Sequence, residues 1–203
     1  MADTKISALT AVTTPAGTDE FAVNQGGTSK KETLSQINDF IGVKTKRVAT
    51  QVNSTSTTLA KVTDLDLTLA AGSYHFKYVL RVQSTDVTVA FALNASHSGT
   101  TTAFQYWWQW CDVSSTAATG GIVGSDSTTG QVRGMYASRI ARTTAAFGVT
   151  ISVDTANADC MLIMEGMTEV TASGDLQLYF GSEVATGTQS LMVGSGLIVT
   201  KMG

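Results

Sequence analysis

The side chains able to do acid, base or nucleophilic chemistry are few and scattered. Glycoside cleavage needs two carboxylates about 5 to 9.5 Å apart in one groove, and Asp112, Asp126, Asp154, Asp159, Glu165, Glu169 and Glu183 are the candidates. Most lie beside turns or on polar strand positions, where solvation or capping accounts for them. Glu165 differs, because it follows the apolar run CMLIM and precedes Gly166. A carboxylate so placed is expected to be hydrogen-bonded in the interior or paired across subunits, since structural networks perturb acids as catalysis does. The only histidines, His75 and His97, have no Ser or Cys nucleophile motif beside them, and no GxSxG occurs. A metal site built on either with acidic neighbours is conceivable, but lone histidines at solvent-facing strand or loop positions are usually no more than that. Cys111 and Cys160, the only cysteines, each sit in an apolar run without metal-ligand spacing and read as small buried hydrophobes. A disulfide between them stays open should their strands pair. Gly120, Gly121, Gly124 and Gly130 lack the Lys-Ser/Thr ending and following helix of a phosphate loop. No catalytic residue, cofactor or metal is expected, and the chain reads as non-enzymatic.

These side chains must be positioned by 203 residues, enough for one domain and an appendage. With 43% hydrophobic and 14% charged residues, the chain is too apolar for disorder and well under the usual charged share of about 25%. Its surface must therefore be made of Thr, Ser, Gly, Ala and Asn, as in proteins that pack into assemblies and in neutral β-proteins generally. The net charge of −3, from 13 basic and 16 acidic residues, offers no basic stripe to nucleic acid. Lys44, Lys46 and Arg47 read as a solvated linker. No run of about 18 apolar residues occurs, and the N-terminus lacks the apolar stretch of a secretory signal. Synthesis in the cytoplasm, without membrane insertion, is the expectation.

Past Lys46 the apolar residues alternate, the mark of half-buried strands. Leu65, Leu67 and Leu69 form one such series. The clearest is Tyr74, Phe76, Tyr78, Leu80 and Val82 against His75, Lys77, Arg81 and Gln83, with Val79 the exception. Val87, Val89, Phe91 and Leu93 predict another strand, with a polar loop at 94–99. In the run from Phe104 to Trp110, Trp107 falls on the otherwise polar face, where an indole is expected to meet a second layer or a neighbouring subunit. Residues 114–133 read as long loops around a short strand near Ile122 and Val123, and Met135 to Arg142 and Phe147 to Val153 as regular patterning resumed. The run 160–164, apolar at every position, predicts a central strand covered on both faces. Leu176, Leu178 and Phe180, then Leu191 to Val199, complete nine or ten strands with no helix between them. That pattern predicts an all-β, antiparallel β-sandwich over 47–203.

Residues 1–46 behave differently. Ile6, Leu9, Val12, Phe21 and Val23 are spaced irregularly, with turns at Pro15 and at Gln25-Gly26-Gly27. Such pegs need another surface to bury them, and a different protein is one candidate for it. Ser29 and Glu32 suggest a capping box opening a helix over 30–41, with Leu34, Ile37, Phe40 and Ile41 at helical spacing and Gly42 as the stop. A helix so short is marginal alone, so its stripe must dock. The expectation is an extended N-terminal arm with one short α-helix, anchored through Ile6, Leu9, Phe21, Val23, Leu34, Ile37 and Phe40.

The segments KISALTAV, PAGTDEFAVN and GGTSKKETLSQI resemble the N-terminal attachment peptide of tailed-bacteriophage virion accessory proteins: tail fibres, head fibres and decoration proteins. GSYHFKYVLRVQS, MLIMEGMTEVTASGDLQLYFGSEVA and VGSGLIVTKMG are similar to the globular domain that accompanies such arms. That domain resembles the jelly roll of the tumour-necrosis-factor and complement globular-head families. The resemblance implies a homotrimer on the virion surface, held by a major capsid or tail-component protein; Trp107 and Glu165, by their own positions in the sequence, are the residues expected at a subunit interface. It also implies, as an alternative, a tail-mounted receptor-binding fibre whose loops at 94–99 and 114–130 touch a host surface glycan or protein. The chain lacks the heptad shaft and collagen-like repeat of long fibres, so its globular part is expected close to whatever the arm grips.

Overall fold

The structure, a computed structural model, describes residues 16–112, 132–135, 153 and 156–202. The chain divides into two compact units, Met1–Val43 and Lys44–Gly203.

In the first unit, β1 (Glu20–Gln25) and β2 (Thr28–Thr33) form an antiparallel hairpin followed by α1 (Leu34–Ile41). Gly26 and Gly27, at φ 60° and 80°, make the two-residue loop. Positive φ at both positions gives the turn whose twist matches paired strands. Six-against-six pairing draws Ser29 and Glu32 into β2, opposite Asn24 and Phe21. The helix therefore starts four residues later than the sequence suggests, and a different box opens it. Gln36 N donates to Thr33 Oγ1 at 3.2 Å, while Thr33 N donates to Gln36 Oε1 at 2.7 Å. Gly42, at φ 72°, stops the helix in the left-handed conformation. The irregular peg expected before Asn24 is, in its described part, a turn at 16–19 leading into β1; Asp19 N donates to Ala16 O, and Leu34 N to Asp19 O.

The second unit contains β3 (Val43–Arg47, all but its first residue), β4 (Val52–Ser54), β5 (Ala60–Lys61), β6 (Leu67–Leu69), β7 (Gly72–Ser84), β8 (Phe91–His97), β9 (Thr101–Asp112), β10 (Val132–Met135), β11 (Cys160–Val170), β12 (Gly174–Ser182), β13 (Gln189–Leu191) and β14 (Gly196–Met202). The larger sheet runs β10-β9-β11-β7, and then β13 and β14 share the far edge of β7, with β4 beside β13 and β3 beside β14. In the smaller sheet β12 is central, with β8 on one edge and β5 and β6 on the other. Every strand pairing with a determined register is antiparallel.

The two sheets enclose one core. Tyr74, Phe76, Tyr78, Leu80 and Val82 of β7 are all buried, as their alternation requires, and meet Leu176, Leu178 and Phe180 of β12 and Leu93 of β8 within one cluster. Each such side chain contributes about 1.5–3 kcal/mol on leaving water. Phe76 and Phe104 stack at 5.4 Å between centroids. Gly166 lies between Phe76 and Tyr106 in the register, and a Cβ there would come within 2.2 Å of Gln105 O.

The edge strand beside β7 is broken. Leu191 faces Val82 and Leu197 faces Tyr78, so the edge carries two more residues than β7 across the same interval. An even excess keeps both leucines turned inward, where a single extra residue would flip one. Ser195 closes the gap: its Oγ accepts from Arg81 N at 2.9 Å and donates to Arg81 O, while Met192 N also donates to Arg81 O.

Several sequence expectations change. The strand expected from Leu65 is a single 3-10 turn at Thr63–Leu65 followed by β6. Val87, expected in a strand, is exposed, and β8 starts at Phe91. The segment 94–97 belongs to β8, with Asn94 buried, so it is no loop. β11 is central in its sheet but covered on one face only: Met161 is 40% and Met167 53% exposed. The register pairs Cys160 with Asp112 and Cys111 with Met161, so the two cysteines are not cross-strand partners. The loops and strands expected between 113 and 152 lie outside the described residues, except for β10.

Candidate attachment unit and outer sheet face

Of the expected anchoring residues, Ile6 and Leu9 lie outside the described residues, as does the side chain of Phe40. Phe21 stands on β1 opposite Glu32, and Val23 opposite Lys30, so the two share one face of the hairpin. Phe21 is 45% exposed; Val23, Leu34 and Ile37 are half-buried. Ile41, at the helix end, is 59% exposed. The other face of the hairpin carries a Glu20–Lys31 ion pair. A lone hairpin is marginal in water, and so is an eight-residue helix. The unit thus presents apolar side chains that it does not itself bury.

The second candidate surface is the outer face of the larger sheet, and strand register builds it in rows. Trp107, Glu165, Lys77 and Ile198 form one row across β9, β11, β7 and β14. Gln105, Met167, His75 and Thr200 form the row on one side of it, and Ile163 and Val79 lie side by side in the row on the other. Trp107 and Glu165, the two expected interface residues, are therefore direct cross-strand neighbours. Trp107 is half-buried, and its face is not otherwise polar, because Met161, Ile163, Met167 and Ile198 share it.

Glu165 is partnered within the face. His75 Nε2 lies 2.8 Å from Glu165 Oε1, and Lys77 Nζ 3.5 Å from Glu165 Oε2. Farther along, Arg81 Nε contacts Asp159 Oδ2 at 2.8 Å, and Gln83 Nε2 donates to Asp159 Oδ1. The Arg81 hydrogen bond, helped by Gln83, holds the Asp159 carboxyl below its ordinary value of 3.8. Two shallow grooves of about 440 and 360 Å³ cross this face beside the edge break and share Val79 and Gly194.

Several other described carboxylates also have structural partners. Glu169 accepts from Thr102 Oγ1 at 2.9 Å and Glu183 from Ala90 N at 3.3 Å. Asp66 pairs with Lys61 at 2.6 Å. The side chains of Asp112, Asp126 and Asp154 lie outside the described residues. His97 is half-buried, not on a solvent-facing loop, and its Nδ1 accepts from Gly99 N at 3.1 Å. Burial pushes the Tyr78 phenol well above its ordinary range, and the Asp66 charge adds to the effect. Among the described residues no cluster of three His, Cys, Asp or Glu could hold a metal, and no helix is long and apolar enough to cross a membrane.

Sequence reasoning missed the exposed Met161, Met167 and Ile198. The signal was present, since Met161 and Ile163 have the same parity on β11 as Glu165. Compared with known proteins, the chain matches no family model, no curated protein and no solved structure.

Proposed function

We propose that the chain is a non-enzymatic structural protein of a tailed-phage virion, anchored by Met1–Val43 to a major capsid or tail-component protein and displaying Lys44–Gly203 as an oligomeric β head. One observation carries the reading: the described part of the first unit is a hairpin and short helix whose Phe21 and Ile41 are left exposed, so it is built to finish its core on another surface. Decoration, reinforcement or display follows from such an attachment. Trimerisation, taken from the family resemblance, multiplies weak grips into a durable one through effective concentration.

A jelly-roll sandwich fits the strand order. In an eight-stranded jelly roll one sheet takes the first, eighth, third and sixth strands and the other the second, seventh, fourth and fifth. Counting β3 with β4, β5 with β6, and β13 with β14 as single broken strands, the larger sheet supplies β4-β13-β7-β11 and the smaller β6-β12-β8. The departure is β9, which pairs with β11 rather than extending the smaller sheet beyond β8.

The test is co-sedimentation with virions that lack the protein. Full-length chain is expected to bind, and chain lacking residues 1–43 to stay folded and remain in the supernatant. Binding by the truncated chain would overturn the assignment of attachment to the arm. Antibody labelling of intact particles then separates a head from a tail location.

A further inference from the structure

We infer that the outer face of the larger sheet, centred on Glu165, is the contact surface for a second copy of this chain. The inference rests on the oligomeric head proposed above and gives it a surface. Among the described residues of the body, the exposed large apolar side chains are Val87, Met161, Met167, Val184, Val193 and Ile198. Register places Met161, Met167 and Ile198 on the one sheet face, and Val193 lines the groove there with Met161 and Val79. Exposed apolar groups concentrated on one face mark an interaction surface, whereas isolated ones need no explanation.

Size and charge both favour a copy of the chain as occupant. β11 runs eleven residues, and four adjacent strands at about 3.4 Å rise and about 4.8 Å spacing present about 700 Å². That is close to the roughly 800 Å² per partner of a standard interface. The charges at the centre of the face are paired internally, Glu165 with Lys77 and His75, and Asp159 with Arg81, while Glu169 stands exposed at the end of β11 with Thr102 as its hydrogen-bond donor. A face of one sign would repel its own copy, and this one mixes both: beyond the internal pairs it carries Glu169 as well as Lys46 and Arg47, which line the groove beside Ile198. The polar centre ringed by Trp107, Met161, Met167 and Ile198 gives a copy apolar area to bury and a fixed group to register against.

The experiment measures the mass of the full chain by sedimentation velocity at micromolar concentration. Wild-type protein is expected as a multiple of 21.2 kDa. The double variant Met161→Glu/Met167→Glu is expected to dissociate, with Kd raised about 100-fold or more. Val87→Glu/Val184→Glu, which alters equally exposed residues away from the face, is expected to keep the wild-type mass. A monomeric wild type, a face variant that keeps its mass, or a control that dissociates equally would each overturn the inference. Should the face variant fail to fold, peroxide oxidation of wild-type Met161 and Met167 replaces it. Protection that grows with protein concentration supports the interface, and rates independent of concentration refute it. Virion co-sedimentation of the same samples separates the two proposals: a monomer that binds particles removes the interface alone, and an oligomer that does not bind them removes the attachment reading alone.

Discussion

Gly166 shows how one residue is fixed by its neighbours and not by its own backbone. Its inward position is occupied by the Phe76 ring, 2.8 Å from where a Cβ would stand, and by Tyr106 Cβ at 2.6 Å and Gln105 O at 2.2 Å. Backbone cannot yield as a side-chain tip can, so Gly166→Ala is expected to destabilise the protein by about 1–3 kcal/mol or more, read as a lower thermal midpoint. Asp159 supplies a second prediction at this scale. Its pKa is lowered in the folded state by Arg81, so its contribution is present above the ordinary value of 3.8 and is lost as pH falls through the depressed value. Half-exposed pairs are screened, so the effect is small. The difference in thermal midpoint between wild type and Asp159→Asn is expected at neutral pH and should close on acidification below 3.8; a gap constant down to strong acid would assign it to something else.

Among elements, the long central strands were legible and the short or bent pieces were not. β7 could be read residue by residue because its partners β11 and β14 impose one buried face over its length. The alternation of Val87 and Val89 promised the same and failed, because local polar groups won. Ser84 Oγ donates to Asp86 O, and Asp86 Oδ1 accepts from both Thr88 N and Thr88 Oγ1, closing a turn before β8 can begin. The helix start was misplaced because two candidate boxes lie four residues apart, and only cross-strand pairing with β1 decides between them. The outer face was half legible: Trp107 and Glu165 stood out as anomalies, but their adjacency depends on the β9–β11 register, which no local pattern encodes. The edge break was invisible for the same reason. It depends on Ser195, whose hydroxyl serves the Arg81 N–H in place of a strand carbonyl. Ser195 is buried, so Ser195→Ala leaves that N–H without its partner. A loss of about 1–3 kcal/mol in denaturant-derived stability is expected, and an unchanged midpoint would show that the edge reseals without it.

At the scale of the whole molecule, the body is stitched from distant pieces. β7 lies between β11, some 80 residues later, and β14 at the end of the chain. Loop closure must precede the contacts that reward it, so refolding is expected over milliseconds to seconds. Chain ending before Gly196 is expected not to reach the native state, because β7 and β3 would both lose β14; stopped-flow fluorescence on the two forms checks this, and a native-like truncated product would contradict it. The route by which the arm enters the body has a mechanical consequence. The chain passes from the arm straight into β3, an edge strand whose sheet partner is β14. A pulling force applied through residues 1–43 therefore reaches the second unit first at one short strand. Under tension that strand is expected to peel from β14 first, lengthening the connection between the units while the sheets behind it stay closed.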